Sequence, residues 1–317
     1  MIRRAPHERQ RDPLTPDASV MEFERHRPFL TGLAYRMLGS FTDAQDVVQD
    51  AFLRWHRDHD AEVENPRAWL ARVVTRLCLD VMKSARARRE AYVGPWLPEP
   101  VLKHERAVAD TSLHDRIDAP MALMLALERL SPLERAAFIL HDLFDMEHAD
   151  IAAALERSEA ACRQLLARAR AHVGEPKQRF HVEEAEAARI TTAFFAAMTT
   201  GNALMLRDLL ASAAVLHSDG GGKVAAVRQV LRGADSVLRF FDSLLTRFGP
   251  MPQTWSGPLR INGLPGYVSR DVAGNVQTTA LDVEDGKVVA VYVMRNPDKL
   301  GSAVALLEAA SELPAPG

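Results

Sequence analysis

The stretch DAQDVVQDAF, Asp43–Phe52, decides the fold of the first part of this chain. Its apolar residues recur at helical spacing together with Trp55, so they predict one buried helix face. Thr42 has the side chain of an N-cap, and the aspartates that follow lie where a helix dipole favours negative charge. The other face is either an acidic binding surface or simply solvated, and it carries Asp43, Asp46, Gln49 and Asp50.

Charge is distributed unevenly around this helix. Residues 41–64 carry seven acidic residues against two arginines, a balance of −5. Residues 67–89 carry seven basic residues against one aspartate (+6), and residues 157–172 carry four arginines against one glutamate (+3). The net charge of −3 argues against non-specific nucleic-acid binding by the chain as a whole. The local pattern instead indicates separate surfaces for separate partners.

Length and composition favour a soluble, helix-rich protein of two or three domains. No run approaches 18 consecutive apolar residues, so we expect no membrane span. The first residues, MIRRAPHERQRDPL, lack the apolar segment of a secretory signal, and residues 1–18 are predicted to be a flexible tail. Cys78 and Cys162 suit a reducing cytoplasm, and no His/Cys cluster has metal-ligand spacing. The prediction is a cytoplasmic protein with no membrane contact, no structural metal and no cofactor.

Residues 19–90 have the pattern of three or more helices. An apolar face that begins at Phe23 ends at Gly39, and Asn65 with Pro66 starts a long helix that runs to Ala87. Trp69 is expected in the core, although a pocket beside it could hold an unstacked base. Asn65 is either a cap or a base contact. The basic residues on the outside are candidate phosphate contacts: Arg67, Arg72, Arg76, Lys83, Arg86, Arg88 and Arg89.

Helical periodicity fades over residues 91–119. The segment YVGPWLPEP, residues 92–100, contains three prolines and a glycine, so it is predicted to be an extended linker. A featureless linker would not need Tyr92, Trp96 and Leu97. We therefore expect these side chains to dock on another part of the protein.

Residues 120–175 predict a helix-turn-helix. Ser131, Pro132 and Glu134 have the pattern of a capping box, and a break at residues 156–158 separates a short helix from a longer one capped by Ser158. The first turns of such a second helix fit the major groove, and later arginines reach phosphates. An ordinary helical hairpin with a solvated basic face is the alternative. The candidates for the DNA surface are Ala160, Arg163 and Gln164 for bases, Arg168 and Arg170 for the backbone, and Ser158 at the start of the helix.

From residue 183 onward the chain changes character. Helices are predicted over 185–200 and 203–210, followed by alternating, β-prone runs over 213–217, 223–227, 255–261, 267–271, 276–283 and 288–294. Glu284–Asp285–Gly286 lies between two of these runs and predicts a hairpin turn. We expect an α+β domain with a curled antiparallel sheet over 183–295, and a tail over 296–317.

These parts together resemble a bacterial sigma factor of the extracytoplasmic-function (ECF) group. The resemblance rests on DAQDVVQDAF, on NPRAWLARVVTRLCLDVMKSARARR (65–89) and on LSPLERAAFILHDLFDMEHADIAAALERSEAACRQLLARARAHV (130–173). It implies that the first block, in region 2, docks on core RNA polymerase through Asp43, Asp46, Gln49, Asp50 and Phe52. It also implies that the second block recognises and melts the −10 promoter element and that the third, region 4, reads the −35 element. Core RNA polymerase and promoter DNA would be the partners.

The linker YVGPWLPEP, the loop DGGGK (219–223) and the segment NPDKL (296–300) resemble signatures of a subgroup with a C-terminal SnoaL-like extension. The resemblance implies two all-α sigma domains, a region 2 helical bundle and a region 4 helix-turn-helix, followed by an α+β SnoaL-like cone. The extension would contact the sigma regions and regulate them in cis. The implied regulatory contacts are Trp96, Leu97, Pro98, Asp219, Gly220, Gly221, Gly222, Lys223, Asn296, Pro297, Asp298, Lys299 and Leu300.

SnoaL-like cones enclose a cavity, which raises the question of a ligand or a reaction. His217 and Asp219 share one face of a predicted strand and could transfer a proton, or Asp219 could simply open the DGGGK turn beside a half-buried histidine. We predict a regulatory cavity, open to a small-molecule ligand, and no enzyme. The alternatives are a ligand-responsive helix-turn-helix regulator that does not join polymerase, and a SnoaL-like enzyme tethered to DNA. The candidate cavity residues are His217, Asp219, Trp255, Arg260, Asn262, Arg270 and Asp271.

Overall fold

The computed structural model describes residues 18–58, 63–89, 92–103, 120–174, 183–249, 254–271 and 273–312, without the side chains of 18, 58, 85–89 and 310–312. The predicted tail up to residue 17, most of the predicted linker and the side chains of Arg86, Arg88 and Arg89 therefore lie outside the described residues. None of the helices in the described part of the chain is long and apolar enough to cross a membrane.

Three helices form the first domain: α1 (Ala18–Leu38), α2 (Phe41–Asp58) and α3 (Pro66–Arg89). Thr42 is not the N-cap of α2, contrary to the prediction. The helix already includes Phe41, and Ser40 Oγ accepts a hydrogen bond from the Asp43 N–H at 3.1 Å. Serine and threonine are both preferred N-cap residues, so the position of the chain reversal at Gly39 decides between the adjacent candidates.

The second domain contains α4 (Met121–Leu127), α5 (Pro132–Phe138), a π-helical turn (Ile139–Leu143), α6 (His148–Leu155) and α7 (Glu159–Val173). The capping box predicted for α5 is present, because Ser131 and Glu134 exchange side-chain to backbone hydrogen bonds. Glu156 ends α6 in a left-handed conformation with φ of 54°, and Ser158 caps α7. The helix-turn-helix predicted from the break at 156–158 is confirmed.

The first two domains share one hydrophobic core. The buried apolar residues of α1 to α7 form a continuous cluster that joins Leu30 and Leu70 of the first domain to Leu127, Ile139 and Leu166 of the second. Helix α3 packs on α6, and α1 packs on the π-helical turn. The two helical domains therefore lie in direct contact rather than at opposite ends of a free linker.

The third domain is α+β. It contains α8 (Glu184–Thr200), α9 (Ala203–Leu209) and α10 (Ala234–Phe248), strands β2 (Leu210–Asp219), β3 (Leu231–Arg232), β4 (Thr254–Trp255), β5 (Leu259–Ile261), β6 (Leu264–Arg270), β7 (Val276–Glu284) and β8 (Lys287–Met294), a 3₁₀ turn (Pro297–Lys299) and α11 (Gly301–Glu312). A strand from the linker, β1 (Leu102–Lys103), also joins its sheet. The predicted arrangement of two all-α domains followed by an α+β domain is confirmed.

The strand order is β1-β5-β6-β7-β8-β2-β3, with β4 paired to β6. The sheet is mixed, and the prediction of an antiparallel sheet was wrong at one pair: β2 and β8 are parallel. Alternation of apolar residues reports which face is buried but not the direction of a neighbouring strand. The hairpin predicted at Glu284–Gly286 is confirmed as the turn between β7 and β8.

Two further local predictions were wrong, and two helices were missed. Residues 223–227 form a loop rather than a strand, and the run 255–261 breaks into β4 and β5. Helices α10 and α11 were not foreseen. Helix α10 buries Val237, Leu238 and Phe241 at helical spacing, a signal that was available in the sequence.

Candidate functional site

The acidic face of α2 is exposed. Asp43, Asp46, Gln49 and Asp50 all lie on the solvent side of the helix. Phe52 does not belong to that face, because its ring is half-buried and meets Phe23 edge-on, with ring centroids 5.0 Å apart. Four of the five candidate polymerase contacts thus form one polar surface, whereas Phe52 packs on the helical core.

The start of α3 shows how its candidate residues are held. Asn65 Oδ1 accepts a hydrogen bond from the Ala68 N–H at 3.1 Å, so Asn65 is a helix cap. The guanidinium of Arg67 lies 4.5 Å from the centre of the Phe29 ring. Arg72 is half-buried, and exposed Lys83 pairs with Asp80 at 2.9 Å. Arg67 and Lys83 are thus accessible to a ligand, whereas the side-chain oxygen of Asn65 is used to cap α3.

Arg76 faces the second domain. Its Nη2 donates to the Ala153 carbonyl at 3.0 Å and lies 3.0 Å from a carboxylate oxygen of Glu156. Its Nε donates to the Ala154 carbonyl at 3.4 Å. These acceptors lie at the C-terminal end of α6, where unpaired carbonyls and the helix dipole attract a cation. A candidate −10 contact is therefore engaged by the turn of the helix-turn-helix.

Helix α7 exposes its first residues. Ser158 caps the helix, Ala160 and Gln164 are exposed, and Arg163 pairs with Glu159 at 3.2 Å. These side chains lie on the surface that the sequence assigned to base contacts.

The later arginines of α7 are tied to the rest of the second domain. Arg168 donates to Glu134 at 2.8 Å, and this hydrogen bond lowers the pKa of the Glu134 carboxyl. Arg170 makes two bonds to Asp142, at 2.9 and 2.5 Å. Burial raises the pKa of Asp142, but the Arg170 bonds outweigh it and the pKa is lowered overall. Both guanidiniums remain about half exposed, so they can still reach a phosphate.

Arg135 joins the two helical domains from inside the core. Only 1% of its side chain is exposed, and Nη1 donates to the Met37 carbonyl at 2.8 Å and to Glu128 at 2.7 Å. Sequence reasoning missed this residue. An arginine inside LERAAF, next to core alanines, was the available signal, because a buried arginine requires partners.

Glu99 of the linker caps α2. One of its carboxylate oxygens accepts hydrogen bonds from the Phe41 N–H at 2.7 Å, the Thr42 N–H at 3.3 Å and the Ser40 hydroxyl at 3.2 Å. Burial raises the pKa of Glu99, and the hydrogen bonds to Phe41 and Thr42 oppose that shift. The WLPEP segment therefore supplies the cap of the very helix that carries the acidic face.

A buried hydrogen-bond chain connects the first domain to the third. The Tyr35 hydroxyl donates to the Glu99 carbonyl at 2.7 Å and accepts a bond from Asn262 Nδ2 at 2.8 Å. Asn262 Oδ1 accepts from the Val101 N–H at 3.2 Å. Burial raises the pKa of Tyr35, so the hydroxyl keeps its proton. Asn262 is thus a contact between domains rather than a cavity residue.

Asp219 is the centre of a second junction, between the linker and the C-terminal segments. Its carboxylate accepts from the Tyr92 hydroxyl at 2.5 Å, the Leu97 N–H at 2.9 Å, the Gly221 N–H at 3.0 Å and the Lys299 ammonium at 2.9 Å. Lys299 also donates to the Leu97 carbonyl at 2.6 Å and lies 4.3 Å from the centre of the Trp96 ring. A buried carboxylate with this many donors is well stabilised.

Close packing explains the glycines around this junction. A methyl group on Gly39 would overlap the Trp96 indole, and one on Gly221 would overlap the Asn296 amide; both glycines also have positive φ. Asn296 Nδ2 donates to the Tyr92 hydroxyl at 3.0 Å, and Lys223 pairs with Asp298 on the surface. Pro98, Gly220 and Leu300 are buried, while Gly222 and Pro297 are exposed. The structure thus brings the linker, DGGGK and NPDKL together.

The third domain encloses a cavity of about 480 Å³. Leu216 and Ser218 line it, so His217 and Asp219, which alternate with them along β2, point to the other face of the sheet. His217 stacks on Tyr292 with centroids 5.2 Å apart, and burial, with a smaller effect of the Arg232 charge, lowers its pKa. The two residues therefore cannot act together on a molecule in the cavity.

Of the remaining candidate cavity residues, one lines the cavity and the others have partners elsewhere. Among the cavity-lining residues that the structure describes, Asp271 is the one candidate that appears. Trp255 stacks on Phe195 at 4.1 Å, and Arg260 and Arg270 donate to the carbonyls of nearby turns. Within the described residues no group of three or more His, Cys, Asp or Glu is placed to hold a metal ion.

Comparison with known proteins gives the family. Residues 23–88 match Sigma-70 region 2, and residues 121–173 match Sigma-70 region 4. The chain is 38% identical over 289 residues to the ECF RNA polymerase sigma factor SigJ of Mycobacterium tuberculosis, covering 88% of this chain and 92% of SigJ. This chain belongs to the ECF RNA polymerase sigma factors. Probable ECF sigma factor SigI of the same organism is 32% identical, covering 87% of this chain and 92% of that protein.

The similarity extends to the three-dimensional structure. The crystal structure of SigJ from M. tuberculosis matches this sigma factor with a TM-score of 0.70 and 36% identity, covering 89% of this chain and 98% of that chain. As a member of the family, the protein is a sigma factor that binds core RNA polymerase and directs promoter-specific initiation of transcription.

Proposed function

We propose that this sigma factor is closed when free, and that its third domain regulates it in cis by holding the closed arrangement. The observation that carries the proposal is the contact of Arg76 on α3 with the carbonyl groups of Ala153 and Ala154 at the end of α6. One face of α3, the helix proposed to bind the −10 element, is thereby packed against α6 of the helix-turn-helix proposed to bind the −35 element. Buried Arg135, which bonds Met37, adds a second link between the two domains.

The geometry of a promoter makes this arrangement incompatible with DNA. The −10 and −35 elements lie about 25 base pairs apart, or roughly 85 Å at the rise of a duplex. Helices α3 and α6 are in hydrogen-bond contact, so both elements cannot be read at their own sites at once. Initiation therefore requires the second domain to move away from the first.

Two junctions connect the third domain to region 2, so the third domain can restrain the separation of the two helical domains. Asn262, at the β5–β6 turn, contacts Tyr35 of α1. Asp219 and Lys299 fix the linker, and the linker's Glu99 caps α2. Any shift of the third domain therefore acts directly on region 2. The proposed regulatory residues are those that the sequence assigned to WLPEP, DGGGK and NPDKL.

The docking surfaces follow from exposure and charge. Asp43, Asp46, Gln49 and Asp50 would bind a basic surface of core polymerase. Arg67, Arg72, Arg76 and Lys83 would bind the −10 element, and the exposed start of α7 would read the −35 element.

The third domain would not be an enzyme, because His217 and Asp219 lie on the sheet face away from the cavity. We also propose a cytoplasmic location, where core polymerase and promoter DNA are found.

Reconstitution with core polymerase tests the assignment of the acidic face. The double variant Asp46→Lys/Asp50→Lys should lose polymerase binding and promoter-dependent transcripts while keeping the fold, because both side chains are exposed. Asp208→Lys, an exposed acid of the third domain, is the matched control and should transcribe normally. Full polymerase binding by the double variant would show that the acidic face of α2 is not the docking surface.

A further inference from the structure

The cavity of the third domain combines apolar walls with polar groups. Helices α8 and α10 provide the apolar walls, through Phe194, Met198, Phe241 and Leu244 among others. The polar groups come from the strands and their ends, and include Ser218, Ser269, Gln277, Asp271 and Arg295. The volume of about 480 Å³ lies in the range of pockets that hold small organic molecules. This lining suits an amphiphile with an apolar body and one polar end.

Arg295 determines the chemistry of the polar groups. Its Nη2 donates to Asp271, but its Nε is buried and has no acceptor among the residues that the structure describes. Only 19% of the side chain is exposed, and burial lowers the pKa of the guanidinium. A buried cationic donor without an acceptor is unfavourable. Arg295 lines the cavity, so its guanidinium would gain from an acceptor bound there.

Asp271 does not satisfy this need. Its carboxylate already accepts hydrogen bonds from the backbone N–H groups of Ala273 and Asn275, both at 2.9 Å, and from the Asn275 side chain at 3.0 Å. These bonds fix the carboxylate in its own turn. The charged residues that line the described cavity are Arg247, Arg295 and Asp271, a balance of +1. One negative charge would neutralise this set.

We propose that the cavity binds a small monoanionic amphiphile, a carboxylic acid with an apolar body. Its carboxylate accepts hydrogen bonds from Arg295, and its apolar part lies against the phenylalanines of α8 and α10. A phosphate monoester fits less well, since its second charge would lie beside Asp271. A cation fits least, because Asp271 is already satisfied and the lining has positive charge in excess.

The cavity is connected to the junction that holds the linker. The Arg295 N–H donates to the Asp219 carbonyl at 2.7 Å, directly behind the carboxylate that binds Leu97 and Lys299. The loop 224–227 lines the cavity, and Gly94 of the linker lies against Val227. A bound ligand would thus act on the residues that position the linker. This effect on transcription rests on the proposed function, whereas the binding itself does not.

Calorimetric titration of the full chain tests the binding. The probes are decanoate, the neutral 1-decanol and the cationic decyltrimethylammonium, which share one apolar chain and differ in charge. Decanoate should bind at least about tenfold more tightly than 1-decanol, because a hydrogen bond to a buried charge contributes that much. The cation should bind most weakly. Equal affinity of decanoate and 1-decanol, or no binding of decanoate, would overturn the proposal.

Variants locate the site. Arg295→Gln should weaken decanoate binding about tenfold or more and leave 1-decanol unchanged, while Arg239→Gln, an exposed arginine on α10, should change neither. Leu244→Trp keeps Arg295 but fills the cavity, and should abolish binding of both probes. Retained binding in Leu244→Trp would place the probes elsewhere and contradict the proposal even where Arg295→Gln folds poorly. Binding without any effect on transcription would count against the proposed regulation only.

Discussion

Lys299 and Asp219 form a buried ion pair, 2.9 Å long, that joins the C-terminal segment to the β2 strand end and to the linker. The Asp219 side chain is fully buried and that of Lys299 is 11% exposed. A second pair joins the same two segments at the surface, between Lys223 and Asp298. The two pairs allow a direct comparison of buried and exposed charges within one junction.

Asp219→Asn should therefore destabilise the protein by about 3–5 kcal/mol, because it leaves the Lys299 ammonium buried without a countercharge. Asp298→Asn, the matched change at the surface, should cost less than about 1 kcal/mol. Urea denaturation measures both. Similar small losses in the two variants would show that Lys299 finds solvent when Asp219 is neutral, and that the junction is looser than the structure indicates.

Glu99→Ala should loosen the start of α2, since it removes the acceptor of the Phe41 and Thr42 amides. We expect a loss of about 1–2 kcal/mol, the usual effect of a missing cap. Hydrogen exchange should accelerate at these two amides. Glu99→Gln keeps a carbonyl oxygen and should recover part of the protection. Glu308→Ala, at an exposed position of α11, is the control and should leave α2 unchanged.

The Tyr35–Asn262 hydrogen bond should couple the first and third domains energetically. In a double-mutant cycle of Tyr35→Phe and Asn262→Ala, we expect a coupling energy of about 1 kcal/mol. Equilibrium unfolding of the four proteins gives this value. Strictly additive effects would mean that the 2.8 Å contact does not transmit stability between the domains.

His217 should make stability depend on pH. Burial lowers its pKa in the folded protein below the ordinary value of 6.5, so the unfolded chain takes up a proton first as the pH falls. The contribution of neutral His217 to the stability of the fold is therefore complete above about pH 6.5, and it is lost as the pH decreases toward the pKa of the folded state. His217→Phe keeps the ring against Tyr292 and should reduce the loss of stability between about pH 7 and 5. His56→Gln, an exposed histidine, should retain the wild-type profile.

Local sequence patterns predicted the helical domains because their signals lie within a few residues of each other. The acidic stretch after residue 43, the Ser131–Glu134 capping box and the break at Glu156 are of this kind. The Glu99 cap could not be predicted, because its partners lie 57 to 59 residues away. The core alanines beside Arg135 signalled its burial, but its bond to the Met37 carbonyl depends on the packing of two domains, which no periodicity reports.

The third domain was predicted less completely for a similar reason. Alternation located β7, β8 and their hairpin, but the parallel pairing of β2 with β8 joins segments that are distant in the chain. The alternation along β2 also placed His217 and Asp219 on one face of the sheet, but it did not indicate which face borders the cavity. Only the neighbouring Leu216 and Ser218, which line the cavity, settle that orientation.

The central claim is that region 2 and region 4 must separate for initiation. The direct test is the distance between spin labels at Asp80→Cys on α3 and Glu147→Cys before α6, both exposed, in a chain whose buried Cys78 and Cys162 are alanine. We predict one short distance in the free protein and an increase of several tens of ångströms in the holoenzyme on promoter DNA, as the roughly 85 Å between promoter elements requires. A holoenzyme that transcribes from its promoter with the labels still at the short distance would contradict the account.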